Sequence, residues 1–176
     1  MRQVTTTTNI YRFSELSDKA KDRAIQTEKE VMGYTWSRDS LKSLEALAKH
    51  FDCKLSDYRI DYFNCSYSSA TFDCPDMEPE EIESRLSELG SYNPETLKGN
   101  GDCKLTGYCM DEEAIDGFRK AWHDGERELS KLMEAAFRSW LQAAQADCED
   151  YYSYDTFGEM AEANDYEYTE DGEFYN

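Results

Sequence analysis

The sequence predicts an α+β fold, with a small antiparallel sheet of about four to six strands packed against four or five helices, one of them long. Three observations carry that expectation. Between Asp111 and Asp147 apolar residues recur at steps of three and four, the period of a helix face. Several shorter stretches alternate β-branched or aromatic residues with polar ones, the period of a strand. Aromatic residues make up 14% of 176 positions, a richness that disordered chains lack, and the length suits one domain over 1–176.

In chain order, Val4 to Phe13 reads as a strand. Ser17 then caps a helix that runs to about Met32, with Ala20, Ala24, Ile25, Glu28 and Val31 near one stripe and Gly33 as its stop. A second helix covers Arg38 to His50, with Leu41, Leu44, Leu47, Ala48 and Phe51 at helical spacing. Leu55 to Phe63 and Ser66 to Phe72 read as partner strands. Pro79 fits the first position of an acidic helix ending near Leu89. Gly90 to Asp102 reads as a loop and Lys104 to Cys109 as a short strand. The stripe Ile115, Phe118, Trp122, Gly125, Leu129, Leu132, Ala136 follows. As one helix it would be ~55 Å long at 1.5 Å per residue, against a radius of gyration of ~16 Å for such a domain. Either Gly125 breaks it or one end projects, and the unbroken phase favours a single bent helix. Tyr154 to Ala163 is a short helix with Asn164 as a left-handed cap, and Tyr166 to Tyr175 a hairpin turning at Asp171-Gly172.

The net charge of −19 is concentrated. Residues 1–72 hold ten acids and eleven bases, whereas 73–95 hold eight acids and one base, Arg85. Residues 96–138 carry nine acids and seven bases, and the segment 139–176 has eleven acids with no Lys or Arg. Such a chain repels a phosphate backbone, so direct nucleic-acid binding is excluded. A one-signed field instead steers a basic partner.

No apolar run approaches the ~20 residues of a membrane span, and Met1-Arg2-Gln3-Val4 opens no signal core. No membrane association is expected, and the expected location is the cytoplasm. Six cysteines without a C-x-x-C pair are expected reduced and structural, with no metal bound. His50 ends a helix where a cation suits the dipole, and His123 has no nucleophile beside it in sequence. Gly99-Asn100-Gly101 lacks the Gly-Lys-Ser/Thr of a phosphate loop, and no calcium-loop pattern occurs. No cofactor and no catalytic residue is indicated.

Tyr11-Arg12-Phe13-Ser14-Glu15-Leu16-Ser17-Asp18-Lys19-Ala20-Lys21-Asp22-Arg23-Ala24 resembles the Y-x-F-x-E-L-S-x-x-A-K-x-x-A opening of a group of small phage-encoded acidic proteins. Tyr166-Glu167-Tyr168-Thr169-Glu170-Asp171-Gly172-Glu173-Phe174 is similar to their close. The matches cover 23 of the 176 residues. The resemblance implies a phage or prophage origin, and some such proteins are described as antitoxin-like.

Charge and resemblance together lead to the expectation of an acidic protein that blocks a basic, nucleic-acid-handling host or defence protein, with imitation of DNA as one route. Asp147, Glu149, Asp150, Asp155, Glu159 and Glu162 would form the contact, backed by Glu78, Glu80, Glu81 and Glu83. Tyr151 and Tyr152 would serve as rigid anchors. An antitoxin-like regulator of one cognate protein is the alternative, followed by a small carboxylate-based enzyme.

Overall fold

Backbone polar groups along this chain are satisfied mainly within helices. The computed structural model describes residues 1–2 and 7–175, and in them lie α1 (Asp18–Met32), α2 (Ser37–His50), α3 (Pro79–Glu88), α4 (Met110–His123), α5 (Leu129–Tyr151) and α6 (Tyr154–Ala163). Among the described residues the sheet is one antiparallel pair, β1 (Lys54–Arg59) and β2 (Ser69–Asp73), so the expected four to six strands are corrected to two and the fold is mostly helical. Val4, Thr5 and Thr6 of the first expected strand lie outside the described residues. The remainder of that strand contributes a single bridge, Tyr11 to Tyr168, before a 3-10 turn at Phe13–Glu15. No helix of the described residues is long and apolar enough to cross a membrane.

The chain divides into two compact units, residues 1–35 with 148–176, and residues 36–147. In the first, Ser17 caps α1 by accepting from Ala20 N–H, and Gly33 at φ 62° ends it. Phe13, Ala20, Ala24, Ile25, Tyr152, Phe157 and Tyr168 form the core. Phe13 meets Phe157 edge-on at 5.1 Å and Tyr168 at 6.1 Å. After α6 the left-handed residue is Asp165, φ 56°, one place beyond the expected Asn164. The N–H of Tyr166 reaches Ala161 O and that of Asp165 reaches Glu162 O, the paired bonds of a Schellman ending. The C-terminal hairpin closes with Gly172 N–H to Thr169 O at 2.9 Å and Thr169 N–H to Glu173 O at 2.8 Å. Only Gly172 has positive φ, so the loop is the longer bulged type and not a two-residue turn.

In the second unit the core holds Leu44, Leu47 and Ala48 of α2, Phe51 just beyond its end, Ile82 and Leu86 of α3, Ile115 and Phe118 of α4, and Leu132, Met133 and Trp140 of α5, all buried. Phe51 stacks on Phe118 at 4.5 Å, and the Trp140 indole N–H donates to Ser40 O at 2.9 Å. β1 stops at Arg59, short of the expected Phe63, because the Asp61 carboxylate captures the N–H groups of Phe63 and Asn64 and turns the chain.

The single bent helix is corrected to two. Gly125, φ 99°, and Glu126 send their N–H groups back to Trp122 and Ala121, ending α4. The Glu126 carboxylate then accepts from Arg127 N–H at 2.8 Å and Glu128 N–H at 2.9 Å, opening α5. Lys104 to Cys109 is no strand. Its N–H groups at Thr106 and Gly107 bind the side chain of Asp111 at 2.7 and 2.8 Å.

Candidate protein-binding surface

Acidic side chains in this molecule do two different jobs, and their hydrogen-bond partners separate them. In the second unit four carboxylates, on buried Asp111, half-buried Glu112 and Asp116, and exposed Asp102, hold a long loop. Asp111, 1% exposed in the first turn of α4, accepts from Thr106 N–H, Thr106 Oγ1–H and Gly107 N–H. Glu112 accepts from Gly101 N–H at 2.8 Å and Asp116 from Gly99 N–H at 3.1 Å. Asp102 accepts from Ser91 through both N–H and Oγ–H, which holds its pKa below the usual carboxylate range. Burial pushes the Asp116 carboxyl upward. Its partner Arg119, 4% exposed, also donates to Gly90 O at 3.1 Å and stacks on Tyr92 at 4.9 Å. Nothing in the spacing of these acids distinguished them from solvent-facing ones. Asp111→Ala is expected to lower stability by about 2–3 kcal/mol, since it strands amide donors in a part-buried loop, with Asp111→Asn intermediate. Urea titration of both variants checks this.

Glu78, Glu80, Glu81 and Glu83 are all exposed on or beside α3, in the second unit. Glu80 and Glu81 lie in its first turn, where the helix dipole favours anions. Glu81 also pairs with Arg85 at 2.8 Å, and Arg85 reaches Asp52 at 2.7 Å. The His50 imidazole donates from Nε2 to Arg85 O at 2.8 Å while Arg85 donates to His50 O at 2.9 Å, so both residues clasp α2 to α3. Exposed Asp147, on α5, belongs to the same unit.

The other predicted residues belong to the first unit, which holds fifteen acids against six bases. Four of its bases, Arg12, Lys21, Arg23 and Lys29, engage the core or the segment that follows α6. Arg12 pairs with Asp165 at 3.0 Å, and Arg23 pairs with Asp171 and Glu173. Lys21 lies over the Phe13 ring and Lys29 over the Tyr152 ring. The exposed carboxylates of this unit include those of α6 and the end of α5, besides Glu15, Asp18, Asp22 and Glu30 on or beside α1 and Glu170 in the hairpin. On α6, Phe157 and Ala161 are buried, which turns Asp155, Glu159 and Glu162 to solvent. At 100° per residue these three fall within about 60° of one another. Among the described residues none of the three takes part in an ion pair.

Exposed Glu149 and Asp150 sit in the last turn of α5, which contains no base. Carboxylates there oppose the helix dipole, a placement that stability does not favour. Asp150 lies 3.5 Å from the Thr156 hydroxyl.

The tyrosines divide differently. Tyr152 is 4% exposed, stacks on Phe157 and donates its hydroxyl to Gly33 O, so it belongs to the core and offers a partner no surface. Burial pushes its pKa up to about 12. Half-buried Tyr151 meets Tyr152 edge-on at 4.8 Å. Tyr154 is 42% exposed with its hydroxyl on Asp22.

Along the axis, Asp155, Glu159 and Glu162 are spaced about 5 Å apart at 1.5 Å per residue. One strand of DNA presents a charge every ~3.4 Å and the duplex one every ~1.7 Å. The stripe is thus sparser than either. Among the described residues no group of three His, Cys, Asp or Glu is placed to hold a metal ion. No known protein family, curated protein or solved structure matches the chain.

Proposed function

We propose that the chain is a binding protein that docks on a basic protein through Glu149, Asp150, Asp155, Glu159 and Glu162. A nucleic-acid-handling protein, including one of host defence, is the kind of partner whose working surface fits. The observation that carries this is charge segregation within the first unit: Arg23 engages the C-terminal hairpin and Arg12 the Asp165 that follows α6, while among the described residues the outward carboxylates Asp155, Glu159 and Glu162 of α6 take part in no ion pair. The phage origin implied by the two terminal motifs is compatible with this role.

Titration with an arginine-rich peptide tests it. Affinity is expected to fall steeply between low and physiological salt, because exposed pairs are screened beyond ~8–10 Å. The triple variant Asp155→Lys, Glu159→Lys, Glu162→Lys is expected to bind at least about tenfold more weakly. Equal affinity for the variant would remove α6 from the contact.

A further inference from the structure

Sulfur chemistry marks a second site, independent of the acidic surface. The hairpin register pairs Lys54 with Asp73, so the next position outward sets Cys53 opposite Cys74. Residues opposed on antiparallel strands have Cα atoms about 4.5–5.5 Å apart, inside the roughly 4.4–6.8 Å that a disulfide spans. The two thiols are free and lie close enough for Cys53 to hydrogen-bond Cys74. Cys53 is held by its own N–H, which reaches Ala48 O at 2.8 Å in the turn that ends α2, with Asp52 at φ 54°. It is 7% exposed. Cys74 is half-buried and lines an open groove of 480 Å³ with Met77, Arg127 and Ser130, so a reagent reaches it first.

We propose that Cys53 and Cys74 are a thiol pair that closes into an intramolecular disulfide on meeting a low-molecular-weight disulfide of the glutathione class. The Cys74 thiolate attacks one sulfur of the small disulfide, forming a mixed disulfide and releasing one thiolate. Cys53 then loses its proton and attacks the Cys74 sulfur, displacing the second thiolate. The two protein thiols lose two electrons, the small disulfide gains them, and both protons end on the two small thiols released. Burial raises the pKa of both cysteines, which makes the exchange slow at neutral pH. The bond would enclose the 20 residues 54–73. That segment is already fastened by Tyr62, whose hydroxyl donates to Ser37 O at 3.2 Å and whose ring meets Trp140 at 6.1 Å.

Incubation of the full chain with glutathione disulfide, alkylation and peptide mapping tests this. The expected products are a Cys53–Cys74 cross-linked peptide, loss of two alkylatable thiols, and a melting temperature raised by roughly 6–12 °C that dithiothreitol reverses. Cys53→Ala and Cys53→Ser are expected to stop at a glutathione adduct on Cys74, and Cys74→Ser to form no cross-link. A wild-type chain that keeps all its thiols, accumulates an unresolved adduct, or cross-links a different pair would overturn the assignment.

Discussion

Gly172→Ala is expected to lower stability by about 4 kcal/mol or more, the largest loss from any single methyl group in the first unit. A Cβ at this position would run into the Ala20 carbonyl oxygen and lie 2.9 Å from its carbon. The obstacle is α1 backbone, so no side chain can rotate away. The residue also holds φ 85°, which costs an L-residue about 1–2 kcal/mol before any clash. The hairpin cannot back off freely, because Arg23 of α1 pairs with Asp171 and Glu173 on either side. Gly33 is the control: at φ 62° it has nothing within 4 Å of its added Cβ, so Gly33→Ala should lose only the conformational part. Far-UV circular dichroism during urea titration measures both. All three tryptophans, Trp36, Trp122 and Trp140, lie in residues 36–147, so their fluorescence reports the second unit separately.

Gly117→Ala is the second large effect, and helix propensity predicts its opposite. In mid-helix, alanine is favoured over glycine by about 1 kcal/mol. Here an added Cβ would sit 2.5 Å from Ser139 Cβ and 2.7 Å from Ala135 O, where α4 lies directly on α5. Separating two helices opens the packing around Ala114, Phe118, Ala136 and Trp140, all buried. A net loss of about 3 kcal/mol is expected, read from tryptophan fluorescence in denaturant. Ser139→Gly in the same chain should restore only part of it, because the Ala135 carbonyl remains in place. Gly125→Ala, with nothing within 4 Å, should cost far less.

These two glycines show where sequence patterns carry structure and where they do not. Helix starts were legible because their chemistry is local: Ser17 accepts from Ala20 N–H, and Pro79 needs no N–H at the first helical position. The break between α4 and α5 was hidden because Trp122 and Leu129 are seven residues apart, close to two helical turns, so the apolar stripe crosses the turn in phase. Gly125 marks the break, but the close approach of α4 to α5 lies at Gly117, and only the partner helix reveals it. The sheet was overestimated because alternation at Tyr11, Tyr168 and Phe174 produces isolated bridges, while Thr106 and Gly107 spend their donors on Asp111.

The candidate surface was partly legible. Spacing alone puts Asp155, Glu159 and Glu162 on one helical face. It could not separate Tyr152, which is core, from half-buried Tyr151 beside it. Nor could it see Cys53 opposite Cys74, since that needs strand register and the two are far apart in sequence.

The binding role is tested most directly by comparing two variants of equal net charge in affinity capture from bacterial lysate at low salt. One carries Asp155→Lys, Glu159→Lys and Glu162→Lys on α6, the other Glu80→Lys, Glu83→Lys and Glu88→Lys on α3. The account predicts that a basic protein captured by the unaltered chain is retained by the α3 variant and lost by the α6 variant. Loss from both to the same extent, or from neither, would contradict it.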